Sequence, residues 1–238
     1  MHRRVRRRPA VAALAIGLGL LTTGCDALPG ADAKSPATVA PPAPLPAPSP
    51  DPKPLDAGAL LAATPANYSG AEPAEERRRA PVTQVSDPEC RQFLALKDGE
   101  SARAVVTQDF TWQKDGRGSG TSTLAAYGSV NEAREVFARL RGAQFACPSF
   151  SDAGDTDSSA TNVVDRPAPP EGDEALAFAL ARSLGKDRST MMAEEHVVTR
   201  VGTVIVDFRK VSYDGQGIVF FPTSLMSHQV TLLVLAQR

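Results

Sequence analysis

The chain has 238 residues, 42% hydrophobic and 22% charged, so part of it can bury a core. A formal net charge of −1 gives no electrostatic support to a general nucleic-acid role. The 20 prolines are unevenly spread and separate a spacer from a folded part.

The first residues form a leader. Arg3-Arg4-Val5-Arg6-Arg7-Arg8 is a cationic start. Val11 to Leu21 is apolar for about eleven residues, roughly half of what a bilayer-spanning helix needs. Leu21-Thr22-Thr23-Gly24-Cys25 then places small residues before a cysteine. This resembles the lipobox of bacterial lipoproteins, whose cysteine is lipid-modified and becomes the first residue of the mature chain. The resemblance implies a signal peptide over 1–24, a lipid such as palmitate on Cys25, and attachment at the outer face of the cell membrane. The family pattern holds an aliphatic residue three positions before the cysteine; here Thr22 stands there, with Leu21 one step further out. The competing reading is an ordinary secretory peptide with an incidental cysteine. The basic pairs leave the export route open between Sec and twin-arginine.

Residues 25–59 read as a tether. Pro41-Pro42-Ala43-Pro44-Leu45-Pro46-Ala47-Pro48 has no apolar periodicity and favours an extended, polyproline-like spacer. Glu72 to Arg79 is charged and reads as a solvated loop or short helix. The folded part is expected over 60–238.

Asp87-Pro88 predicts a helix start, with Cys90, Phe93 and Leu94 turned inward. Ala102 to Trp112 and Ser119 to Tyr127 read as a hairpin across Asp115-Gly116-Arg117-Gly118. Ser129 or Asn131 can cap a helix in which Ala133, Val136, Phe137, Leu140 and Ala143 recur at helical spacing. Ser151 to Ser159 and Pro167 to Gly172 read as loops around a short strand at Thr161 to Val164. Ala175 to Ala181, Met191 to Val201 and Thr203 to Val211 read as further strands, the last two joined at Val201-Gly202-Thr203. Pro222 to Arg238 reads as a closing helix, with Leu225, Val230, Leu233 and Val234 inward and Leu232 and Leu235 widening the stripe. The expected fold is α+β: a mainly antiparallel sheet of five to six strands with helices packed on one face.

Four features are similar to the extracellular sensor-domain family of actinobacterial lipoproteins and PknH-type membrane kinases. They are the early helix bearing Cys90; the helix Ala133 to Ala143 running into Phe145-Ala146-Cys147-Pro148; Gly172-Asp173-Glu174-Ala175 before a strand; and the strands Val197 to Arg200 and Val204 to Phe208 before a terminal helix. The resemblance covers residues 60–238 and implies an α+β sheet with a groove between sheet and helices, and a ligand-sensing role. Kinase-associated members carry a second disulfide. Only Cys90 and Cys147 follow Cys25 here, so a second bridge is impossible.

Cys90 and Cys147 form an even pair in an exported chain, and a disulfide is expected. Two buried thiols or a metal pair are the alternatives, and the absence of CxxC and the scarcity of histidine count against zinc. In Glu194-Glu195-His196, strand parity puts Glu194 and His196 on one face and Glu195 on the other. A solvated sheet face is the expectation there, and HExxH is absent. His228 reads as surface. No G-x-S-x-G elbow occurs. Gly116-Arg117-Gly118-Ser119-Gly120 looks like a phosphate loop but sits in a hairpin rather than before a helix. Asp152, Asp155 and Asp157 resemble a partial calcium loop, but Val163 stands where its closing glutamate belongs. No nucleophile, base and orienter come together, so an enzyme, a cofactor and a metal site are not expected.

Aromatics are sparse, at 5%. Trp112, Tyr127, Phe220 and Phe221 are the candidate apolar lining of a groove, with Arg200 and Arg209 as charged groups at its rim. Gln108, Thr121, Thr123, Glu194, His196, Arg200 and Arg209 are expected on an open polar sheet face. The partners expected are a membrane through the lipid, and a small apolar ligand or an envelope protein. Ligand binding or sensing is the favoured reading; a structural or protein-interaction role without a small molecule is the alternative.

Overall fold

Val105-Val106, Leu124-Ala125-Ala126, Val197-Val198 and Val204-Ile205-Val206 send apolar side chains to both sides of their strands, which a half-solvated sheet does not tolerate. The computed structural model describes residues 51–77, 85, 87–112, 118–151, 160–184, 190–213 and 221–238, all within the unit Pro48–Arg238. The leader with Cys25, the proline-rich run before residue 51, the hairpin tip 113–117, the Asp-rich stretch 152–159 and Phe220 lie outside the described residues.

In chain order the elements are α1 (Ala57–Ala62), β1 (Glu75–Glu76), α2 (Pro88–Lys97), β2 (Ala104–Trp112), β3 (Gly118–Ala126), α3 (Val130–Ala146), β4 (Ser149–Phe150), β5 (Thr161–Arg166), β6 (Glu174–Leu184), β7 (Thr190–Val201), β8 (Val204–Tyr213) and α4 (Thr223–Ala236). The strands form one sheet in the order β1-β2-β3-β8-β7-β6-β5-β4, every pair antiparallel. The chain builds β1 to β3, crosses along α3 to the far edge, and meanders back through β5, β6 and β7. The last strand, β8, is inserted against β3.

Two expectations are corrected. The sheet has eight strands rather than five to six, because β1 and β4 are two-residue edge strands too short to show a pattern. The helices cover both faces, not one. Under α2 and α3 lie Val105, Ala125, Phe178, Leu180, Val198 and Ile205. Under α1 and α4 lie Val106, Phe110, Leu124, Val204, Val206 and Phe208. Alternation along each strand assigns neighbours to opposite layers, so Ile205 faces one core while Val204 and Val206 face the other.

Local chemistry sets the helix ends. Asp87 accepts from the Cys90 amide at 2.9 Å, with Pro88 in the first turn. Ser129 caps α3 by accepting from the Glu132 amide at 3.1 Å, while the Glu132 carboxylate accepts from the Gly128 amide at 2.7 Å. In α4 the buried stripe is Leu225, Met226, Gln229 and Leu233, which corrects the expected stripe: Val234 is 42% and Leu235 54% exposed. The glutamines win those inward positions because each meets backbone groups that need partners. Gln229 donates to the Ala63 carbonyl at 2.7 Å. Gln237, just past the helix, accepts from the Thr203 amide at 2.7 Å and donates to the Val201 carbonyl at 3.0 Å. The Lys53 amide also donates to the Gln237 carbonyl at 2.9 Å, so the start and end of the described unit meet.

Cys90 and Cys147 are joined by a disulfide across 57 positions. Both are fully buried and clip the start of α2 to the end of α3. Loop-closure entropy assigns such a bridge about 4 kcal/mol. A Cys90→Ala/Cys147→Ala variant should lose stability of that order in chemical denaturation; a change below about 1 kcal/mol would show that packing alone holds α2 to α3.

Candidate functional site

On the α4 face a cavity of 310 Å³ opens beside β7, between the sheet, the start of α4 and the segment 167–169. Its apolar wall comes from Ala177, Val197, Phe208, Phe221 and Met226, and Arg166 and Glu195 stand at its polar side. Arg166 Nε lies 3.5 Å from Glu195 Oε2. Glu195 is the register partner of Lys210 on β8, and both are buried.

Small residues make room for the aromatic wall. Trp112 is paired with Gly118, and a Cβ at Gly118 would collide with the indole. A Cβ at Gly120 would press on the Phe221 ring. Gly118 and Gly120, the described glycines of the phosphate-loop-like run, therefore serve as seats for two rings. Phe221 meets Trp112 at 5.4 Å, Phe208 at 5.2 Å and Phe110 at 6.0 Å between ring centroids, mostly edge-on.

Of the expected site residues, Trp112 and Phe221 come together. Phe220 lies outside the described residues. Tyr127 belongs to the opposite core, under α2 and α3, where burial pushes its phenol up to about 12. Arg200 and Arg209 point to that same opposite side, as register partners of Ile205 and His196. Arg200 is committed internally: it donates to Glu174 at 2.6 Å, to Asp173 at 2.9 Å and to the Gly202 carbonyl at 3.1 Å. It fastens the start of β6 to the β7–β8 turn and does not border the α4-face cavity.

The expected open polar face is covered instead: Gln108, His196 and Arg200 are buried, and Thr121, Thr123, Glu194 and Arg209 are half-buried. Gln108 lies on the α4 side, donating to the Glu72 carbonyl at 2.8 Å. His196, on the α2 side, is 1% exposed and stacks on Phe178 at 4.8 Å. Its Nδ1 sits 2.9 and 3.1 Å from the two oxygens of Asp207. Its Nε2 is 3.7 Å from Glu194 Oε2, to which Arg209 Nε donates at 2.8 Å. Burial opposes the charged imidazole, but the Asp207 charge and hydrogen bond outweigh it and raise His196 above its ordinary value. Burial likewise opposes the carboxylates. His196 outweighs it at Asp207, and His196 and Arg209 outweigh it at Glu194, so both acids are held low. Asp207 was not legible as the partner, because the pairing depends on β7–β8 register rather than spacing in one segment. Among the described residues, no three His, Cys, Asp or Glu side chains gather as a metal set, and no helix is long and apolar enough to cross a membrane.

A scan of protein-family models gives no match, and a comparison with curated proteins gives none. Among solved structures, the chain is similar to the extracellular domain of PknH from Mycobacterium tuberculosis. The likeness has 11% identity and a TM-score of 0.44, and covers 76% of this chain and 90% of that one.

The network sets a pH window. His196 is raised, so its contribution to stability is complete below its ordinary value near 6.5 and fades as pH climbs through the raised one. Glu194 and Asp207 are lowered, so theirs is complete above about 4 and is lost in stronger acid. His196→Leu alone should cost about 3–5 kcal/mol by stranding Asp207, and His196→Leu/Asp207→Leu should recover most of that. Denaturation from neutral to alkaline pH should show a loss in the parent that the double variant lacks. Equal pH profiles in the two proteins would contradict a buried ion pair.

Proposed function

We propose that this protein is an extracytoplasmic lipoprotein whose folded domain binds a small, mainly apolar ligand without catalysing a reaction. The observation that carries the reading is the α4-face cavity, with Phe208, Phe221 and Met226 along one wall and the Arg166–Glu195 pair at its side. An apolar hollow with a few placed polar groups is the usual character of a small-molecule site, and 310 Å³ lies at the low end of such sites. The disulfide suits an oxidising compartment, and the leader ending at Cys25 suits export followed by lipid attachment. His196, the residue most suited to acid–base work, is buried against Asp207 as a structural pair. The alternative, a protein-interaction role, is favoured by the exposed Val234 and Leu235 on α4.

Trp112 is the only tryptophan and touches the cavity wall through Phe221, so its emission reports on occupancy. Native mass spectrometry of protein from its own host should reveal a bound small molecule, and removing it should shift Trp112 emission. Met226→Trp should fill the cavity and abolish the adduct in a folded protein. An adduct retained by Met226→Trp, or none in the parent, would remove this assignment. Cys25→Ala should release the protein from the membrane fraction, and unchanged partitioning would contradict the anchor.

A further inference from the structure

On the other side of the sheet, a second cavity of 230 Å³ lies between the end of α2 and the β5–β7 surface. Its floor is apolar: Leu94, Phe150, Leu180 and Met192. Its walls carry both signs of charge. Lys97 and Asp98, on the α2 side, are 2.8 Å apart. Arg182 and Glu194 stand on the sheet side, and Glu194 is held by Arg209. We propose that this cavity is a separate binding site for a small zwitterion with an apolar side chain, of the α-amino-acid class.

Charge and size argue for that class. A ligand of one charge meets an unlike and a like group on each wall, so part of its attraction is cancelled. A ligand carrying carboxylate and ammonium together can set each against its opposite, with the side chain over Leu94, Leu180 and Met192. The volume is below the roughly 300–1,000 Å³ of drug-sized sites and holds about eight waters' worth of space. That suits a single amino acid. The floor is also pre-positioned. Cys90 lies one helical turn before Leu94, and Cys147 lies three residues before Phe150, so the disulfide ties two parts of the floor together. Glu194 faces this cavity while its neighbour Glu195 faces the other, so β7 is a shared partition between two distinct sites.

The probe is L-leucine, titrated into the ¹⁵N-labelled, oxidised protein and followed by amide shifts, with N-acetyl-leucine and leucinamide as singly charged controls. Leucine should shift the amides around Leu94, Lys97, Phe150, Leu180 and Met192, and both controls should bind at least about tenfold more weakly. Lys97→Met should weaken leucine about tenfold in a folded protein, and Leu180→Trp should abolish the shifts with the spectrum still dispersed. Met226→Trp, which fills the other cavity, should leave them unchanged. No shift up to tens of millimolar leucine would overturn the proposal. So would controls that bind as well as leucine, or shifts that survive Lys97→Met. Because Met226→Trp and Lys97→Met act on different faces, failure of one site is read separately from failure of the other.

Discussion

Burial of β8 on both faces is the constraint from which the architecture follows. Val204, Val206 and Phe208 must leave water on one side and Ile205 on the other, and no single layer of helices can do both. One helical layer therefore forms from α2 and α3 and a second from α1 and α4. The chain closes this arrangement late, because β8 joins β3 to β7 and so welds the two halves of the sheet. The β7–β8 turn is pinned from outside by Arg200 through Asp173 and by Gln237 through Thr203. Gly202 makes that tight turn possible at φ 57°, where a side chain would also collide with Gln237.

The same two-faced strands account for the distribution of chemistry. Along β7, Glu194 and His196 enter the α2 layer while Glu195 and Val197 enter the α4 layer. The α4 side gathers aromatic rings over glycines in β3. The α2 side buries an imidazole between two carboxylates and leaves charged groups around a small hollow. Neither side has the open, evenly polar surface that a one-layer sheet would have.

Much of the fold was legible where a single period dominates. The helix through Ala133, Val136, Phe137 and Leu140 was visible because its apolar and charged faces separate cleanly. The closing helix was visible with Leu225, Val230 and Leu233 inward, but the width of its stripe was misread, because Gln229 and Gln237 point inward to bind backbone groups while Val234 and Leu235 stay outside. Continuous apolar runs such as Val204-Ile205-Val206 carried the signal for burial on both faces; treating them as ordinary alternating strands hid the second layer. Trp112 and Phe221 meet edge-on, but of the two only Phe221 lines the α4-face cavity, whereas Tyr127, Arg200 and Arg209 fell to the other face by strand parity. The Asp207–His196 pair needed cross-strand register, which no local pattern carries.

The layering itself can be measured directly. Spin labels at the exposed positions Arg139 on α3 and Thr231 on α4 report whether the sheet lies between them. Helices on opposite faces are separated by two layer spacings, on the order of 20 Å between their axes, before the labels add to the distance. A dipolar distance of that order or longer is the expected result. Helices packed side by side on one face lie about 8–10 Å apart, and a distance in that range would contradict the two-layer account.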